Sequence, residues 1–106
     1  MSEGCVTVFE LEKKKYITRG IKEKVSMFQQ LICWNLIKHK RESNIKLDYL
    51  QIFEFSQDNN CSKVIHRQEQ PLFIDEYSFK KGVVKQLRIW VIDDGGQIVM
   101  LLPEEY

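Results

Sequence analysis

The apolar positions change period along the chain, and the change marks the elements. Near the C-terminus, Gln86–Ile92 and Gln97–Leu102 are apolar at most positions instead of alternating, and Asp93-Asp94-Gly95-Gly96 stands between them. Two apolar runs around Asp and Gly read as a β-hairpin. Strands without alternation are expected in the interior of a sheet, covered on both faces.

Upstream the period is helical. A helix is predicted from about Lys22 to about Glu42, ended by Ser43-Asn44 after a basic last turn of Lys38, His39, Lys40 and Arg41. Cations there complement the helix dipole. On a wheel of about 100° per residue, Ile21, Val25, Phe28, Ile32, Leu36 and His39 form one stripe, the expected core face. Met27, Leu31 and Trp34 fall on another side. Either residues 5–11 cover this second patch or another chain does. In the second case Met27 and Trp34 are candidates for self-association, since large apolar side chains left in water mark interfaces.

Short strands supply the rest. Tyr16–Arg19 reads as a strand stopped by Gly20, and Asp48–Phe55 as one rich in β formers. Turn chemistry follows at Ser56–Ser62. Lys63–Glu69 alternates imperfectly up to Pro71, and Phe73–Phe79 reads as an edge strand or an irregular segment before Lys80-Lys81-Gly82. Val6–Phe9 is a short strand or part of a loose tail over residues 1–15. The order strand, helix, then several closely linked strands predicts an α+β fold. One long helix packs on a mostly antiparallel sheet of about five strands.

Composition narrows the class. The chain has 106 residues, 43% of them hydrophobic and 29% charged, which suits a single compact globular domain. A formal net charge of +1 argues against a dedicated nucleic-acid binder. The charge is divided, however: residues 1–53 carry ten Lys/Arg against six Asp/Glu, and residues 54–106 carry six against nine. Cys5, Cys33 and Cys61 are odd in number and widely spaced, so neither a disulfide framework nor a zinc site is expected. Cys33 reads as a small buried hydrophobe. No long apolar stretch suggests a leader or a membrane span, and a cytoplasmic location is expected.

Candidate chemistry is sparse. Asp93 and Asp94 lack the further oxygen ligands of a calcium loop, and turn formation accounts for them. His66, Arg67 and Glu69 make the most polar stretch of an otherwise apolar set of strands. On a strand His66 and Gln68 share one face, Arg67 and Glu69 the other. With only His39 and His66 in the chain, no catalytic triad can be read. Arg19-Gly20, at a strand-to-helix junction, could present backbone N–H groups and a guanidinium to an anion. No catalytic residue, cofactor site or metal site is assigned.

Four blocks carry a family resemblance: Tyr16–Ile21, Asp48–Ser56, Val64–Pro71, and Ile89–Gly95 running on to Met100–Tyr106. Together they resemble the bacterial and phage proteins grouped as domain of unknown function 960. The resemblance implies a small cytoplasmic protein of Gram-positive bacteria or their mobile elements, and it brings no catalytic residue with it. The leading expectation is a non-enzymatic binding or regulatory module whose partner is another protein. Arg19, His66, Arg67 and Glu69 are its candidate contact residues. The alternatives are an enzyme acting on a small anionic or nucleotide substrate through those same residues, and a nucleic-acid-contacting protein using Lys13–Lys15 and the helix end.

Overall fold

The computed structural model describes residues 13–59, 61–80 and 85–106. Among the described residues it is an α+β fold of six strands and two helices. The strands are β1 (Lys14–Ile17), β2 (Leu50–Asp58), β3 (Cys61–Glu69), β4 (Leu72–Phe79), β5 (Leu87–Asp93) and β6 (Gln97–Leu101). The helices are α1 (Arg19–Lys24) and α2 (Met27–Glu42), and a single 3-10 turn, Pro103–Glu105, follows β6. The segment Val6–Phe9, the cover expected from residues 5–11 and the Lys81-Gly82 turn lie outside the described residues.

The six strands form one sheet in the order β1-β6-β5-β2-β3-β4. It is mixed, because β1 runs parallel to β6 while the other neighbours are antiparallel. The parallel pair arises because the chain leaves β1, passes through both helices, and returns to its side only at β6. The predicted hairpin is present as β5 and β6. Gly95 adopts φ +100° at its tip, a conformation that L side chains rarely reach. The Asp93 carboxylate accepts from Gly95 N at 2.8 Å, and Asp94 accepts from Gly96 N and Gln97 N, each at 3.0 Å. Both strands are interior, as their patterning suggests. One face is fully covered through Ile89, Val91, Ile98 and Met100. The other is half covered, with Tyr106 packing edge-on against Trp90 at 5.6 Å.

The helical region corrects the expectation of one long helix. Val25 leaves helical geometry with φ −114° and ψ 128°, and Ser26 caps a new helix by accepting from Gln29 N. The carbonyl freed at Val25 is not left bare, because Gln30 Nε2 donates to it at 3.1 Å. This break resets the helical phase. Ile21 and Val25 are buried from α1 and its cap, but α2 turns Gln29, Gln30, Cys33, Ile37 and Lys40 inward instead of the predicted stripe. Phe28 is exposed and Ile32 and Leu36 sit at the margin of the core. A wheel drawn through the break gave residues of α2 a phase inherited from α1. Gln29 is buried because its amide works as a surrogate strand: Nε2 donates to Lys85 O at 3.1 Å and Oε1 accepts from Lys85 N at 3.4 Å.

Met27 and Leu31 face outward, whereas Trp34 is partly buried against the core. The packing therefore makes a testable contrast along one helix. Ile37→Ala should cost about 2–5 kcal/mol, and Leu31→Ala should stay within about 0.5 kcal/mol, both measured by urea unfolding.

Candidate functional site

In β3 alternation sends Val64, His66 and Gln68 toward the helices and Ile65, Arg67 and Glu69 to the opposite face, as the sequence predicts. Register with β2 sets Phe53 directly across from His66, and β4 sets Asp75 on its other side. The imidazole lies stacked on Phe53, with centroids 4.4 Å apart, and meets Phe73 edge-on at 5.1 Å. It is 0% exposed.

A chain of side-chain amides fixes its protonation. Gln51 Nε2 donates to Asp48 O at 2.9 Å and to Gln68 Oε1 at 2.8 Å. Gln51 Oε1 must then be the acceptor in its 2.6 Å contact with His66 Nε2, which carries the ring proton. Gln68 Nε2 continues the chain by donating to Lys46 O and Pro71 O. Nδ1 is left a bare acceptor without a partner among the described residues. Burial, together with the nearby Lys40 ammonium and against the pull of Asp75, lowers the His66 pKa from 6.5 to about 3. Burial also pushes Lys40 down, but its hydrogen bond and ion pair with Asp75, aided by Tyr77, hold it above its ordinary value. Its ammonium lies 4.7 Å over the Phe73 ring. At neutral pH the imidazole is neutral and fully buried beside the Lys40–Asp75 ion pair, so His66 does not reach a substrate as a proton acceptor.

The remaining candidates do not converge on His66. Arg67 contacts Glu54 at 3.4 Å on the opposite face, and Arg88 shares that carboxylate at 3.7 Å. Glu69 is exposed and borders a shallow cleft with Lys46, Gln70, Pro71 and Leu72. Arg19 stands at the other end of the sheet, where it bonds Glu23 one helical turn on. Three strands separate β1 from β3, a span of about 19 Å at the usual strand spacing. Cys33 is buried, and burial pushes its thiol up, away from nucleophilic use. Among the described residues no group of three or more His, Cys, Asp or Glu could hold a metal ion. The Asp93 carboxylate is engaged by Lys13 Nζ at 2.8 Å as well as by its turn.

The anion expected at Arg19-Gly20 is the chain's own. Glu105 accepts from Gly20 N at 3.0 Å, from Thr18 Oγ1 at 2.5 Å and from Leu102 N at 2.9 Å. Those bonds, Thr18 first, hold its carboxyl below the usual range. A Cβ on Gly20 would come within 2.6 Å of that carboxylate, so the glycine is required by the contact. Sequence reasoning missed Glu105. Its only signal is that Thr18-Arg19-Gly20 and Leu102-Pro103-Glu104-Glu105 close the two ends of the same family-like pattern.

Two expectations follow. Below about pH 6.5 the unfolded chain takes up a proton on His66 that the folded protein refuses until about pH 3, so this residue lowers stability as pH falls through that window and not above it. The loss at pH 5 relative to pH 7 should be about 2 kcal/mol, and His66→Phe should abolish it in urea titrations at the two pH values. Glu105→Ala should cost about 1 kcal/mol. Gly20→Ala should destabilise the wild-type protein yet be neutral or stabilising in the Glu105→Ala background, where alanine is simply the better helix former. Denaturation midpoints of the four proteins decide this.

Comparison with known proteins gives a family and a fold. The model of a family described as staphylococcal protein of unknown function, domain of unknown function 960, matches residues 14–105. A crystal structure of a protein of unknown function from Enterococcus faecalis is similar at a TM-score of 0.80 and 23% identity, covering 92% of this chain and 94% of that one. At that identity the likeness shows the fold alone. No curated protein matches the chain. With its sheet, hairpin and C-terminal latch all inside the matched residues, this chain belongs to the domain of unknown function 960 family.

Proposed function

We propose that this protein is a non-enzymatic contact module that acts by binding another protein through the start of α2 and the neighbouring open side of β4. One observation carries the reading. His66, Arg67 and Arg19 are engaged with other side chains of the fold, while three large apolar side chains stand in water together. Met27 is 66% exposed, Leu31 50% and Phe28 43%. These three occupy one and a half turns of one helix, and Phe28 extends the patch to Phe79 of β4, with ring centroids 5.7 Å apart. Clustered apolar side chains on a surface favour a macromolecular partner over a small polar substrate. A cytoplasmic, regulatory role in a Gram-positive host, with a phage or mobile-element origin, is consistent with this mode of action.

Affinity purification of the tagged protein from a Gram-positive host tests the reading. Leu31→Glu should lose the recovered partner while keeping the wild-type melting temperature, because the position is exposed. Arg67→Ala, on the opposite sheet face, should keep it. Recovery of every partner by Leu31→Glu overturns the assignment of this surface.

A further inference from the structure

We infer that the occupant of this surface is a second copy of the chain, joined by antiparallel pairing of β4 with β4 about a two-fold axis at Ser78. The inference rests on the contact surface proposed above and adds the partner and the register.

The strand itself invites pairing. Among the described residues β4 is the last strand of the sheet order and is paired on one side only, by β3. It runs for eight residues, Leu72–Phe79, with no proline among them. An open edge of that length is a template for another strand unless charge or distortion guards it. The two carboxylates on β4 are poor guards, because each has a cation of its own. Asp75 pairs with Lys40 beneath the helix, and Glu76 lies 3.7 Å from Lys63 of β3.

Symmetry then restricts the register. Residues directly opposite in an antiparallel pair point to the same face, so a two-fold axis perpendicular to the sheet must pass through a residue. An axis at Asp75 or Glu76 sets identical carboxylates against each other. One at Ile74 opposes Phe73 to Asp75 and Leu72 to Glu76, and one at Tyr77 opposes Asp75 to Phe79 and Ile74 to Lys80. Axes at Leu72 and Phe73 run into Pro71, which has no N–H to donate, and one at Phe79 opposes Ser78 to Lys80. At Ser78 three residues of β4 overlap, and with Lys80, which follows the strand, every pair is complementary: serine meets serine, Tyr77 meets Phe79 of the second copy, and Glu76 meets its Lys80, the last two pairs occurring twice. Aromatic pairs and opposite charges are the favourable cross-strand combinations, and like charges the unfavourable one.

The same axis also covers the apolar patch. Odd-numbered residues of β4 lie on the face that carries α2, since Lys40 reaches Asp75 and Phe73 while Phe28 reaches Phe79. The helix therefore runs along β4 with its first turns beside Phe79, one residue from the axis. Pairing at Ser78 brings the first turns of two such helices alongside each other, with Met27, Phe28 and Leu31 of each facing the other copy. A lone extended peptide would satisfy the strand edge and leave those side chains in water. A second copy covers both.

Sedimentation of the full chain over a concentration series should show a reversible dimer. Ser78→Lys, at an exposed position, places lysines against each other and should weaken the dimer by tenfold or more with an unchanged melting temperature. Glu76→Lys should do the same, and Glu76→Lys combined with Lys80→Glu should restore the wild-type association. Opposed Cα atoms on such an axis lie at about 4.5–5.5 Å, within disulfide reach. In a Cys5→Ser, Cys61→Ser background, Ser78→Cys should therefore give a disulfide-linked dimer on mild oxidation and Ile74→Cys should not. A protein that stays monomeric throughout, a dimer indifferent to Ser78→Lys, or a charge swap that fails to restore association each overturns the inference. A monomer that still loses a host protein on Leu31→Glu overturns the dimer and leaves the contact module standing. A dimer through Ser78 in a protein whose host partners ignore Leu31 does the reverse for binding of other proteins.

Discussion

The fold depends on a chain of side-chain amides that pairs buried polar groups where the sheet is driest, leaving His66 Nδ1 without a partner among the described residues. His66, Gln51 and Gln68 are all fully buried in adjacent strands, at the centre of a face otherwise made of Phe53, Phe55, Val64 and Ile89. A buried amide without partners costs more than an apolar contact returns. These partners coincide only in one register of β2 on β3. The amide chain also reaches Asp48 O, Lys46 O and Pro71 O, so it holds the segment that leads from α2 into β2 against the turn between β3 and β4. An apolar substitute could fill the space and would leave the register free to slip by two residues.

The opposite end of the sheet is closed by a charge. Thr18, Gly20 and Leu102 all donate to the Glu105 carboxylate, which sits at the start of α1 and ties the end of β6 back to the end of β1. Parallel pairing of a four-residue strand is weak on its own. The carboxylate adds a fixed point there and brings Tyr106 over Trp90. The sheet thus has one end held by the chain's own C-terminus and one end, β4, with nothing paired beyond it among the described residues.

That asymmetry shapes the functional reading. A His, two Arg and a Glu within a few strands resemble the raw material of an acid–base site, yet the fold disperses them over two faces and both ends. Catalytic groups need a shared cavity and a proton that can move at working pH, and His66 at a pKa of about 3 offers neither. Exposed apolar side chains beside an unpaired strand edge are suited to contact with another protein surface instead.

Much of this architecture was legible in the residues. The Asp-Asp-Gly-Gly hairpin, the strand at Lys63–Glu69 with its alternating faces, and the α+β class follow from turn chemistry and period, which act over a few residues. The break at Val25-Ser26 had a local signal that the helical wheel passed over, Ser26-Met27-Phe28-Gln29 with the spacing of a helix start; it holds because Ser26 accepts from Gln29 N and Gln30 Nε2 donates to Val25 O. Phe28 therefore lies outside and Gln29 inside, against hydrophobicity alone. The Glu105 latch joins residues 85 apart in sequence to Gly20, and the His66 cluster draws on β2, β4 and α2 at once. Sequence by itself determined the C-terminal hairpin and the alternating faces of Lys63–Glu69, since those depend on neighbours a few residues away. Only the tertiary structure decided which polar groups are sealed, which anion fills the helix start and which apolar residues remain in water, because each of these is set by partners that folding brings from distant parts of the chain.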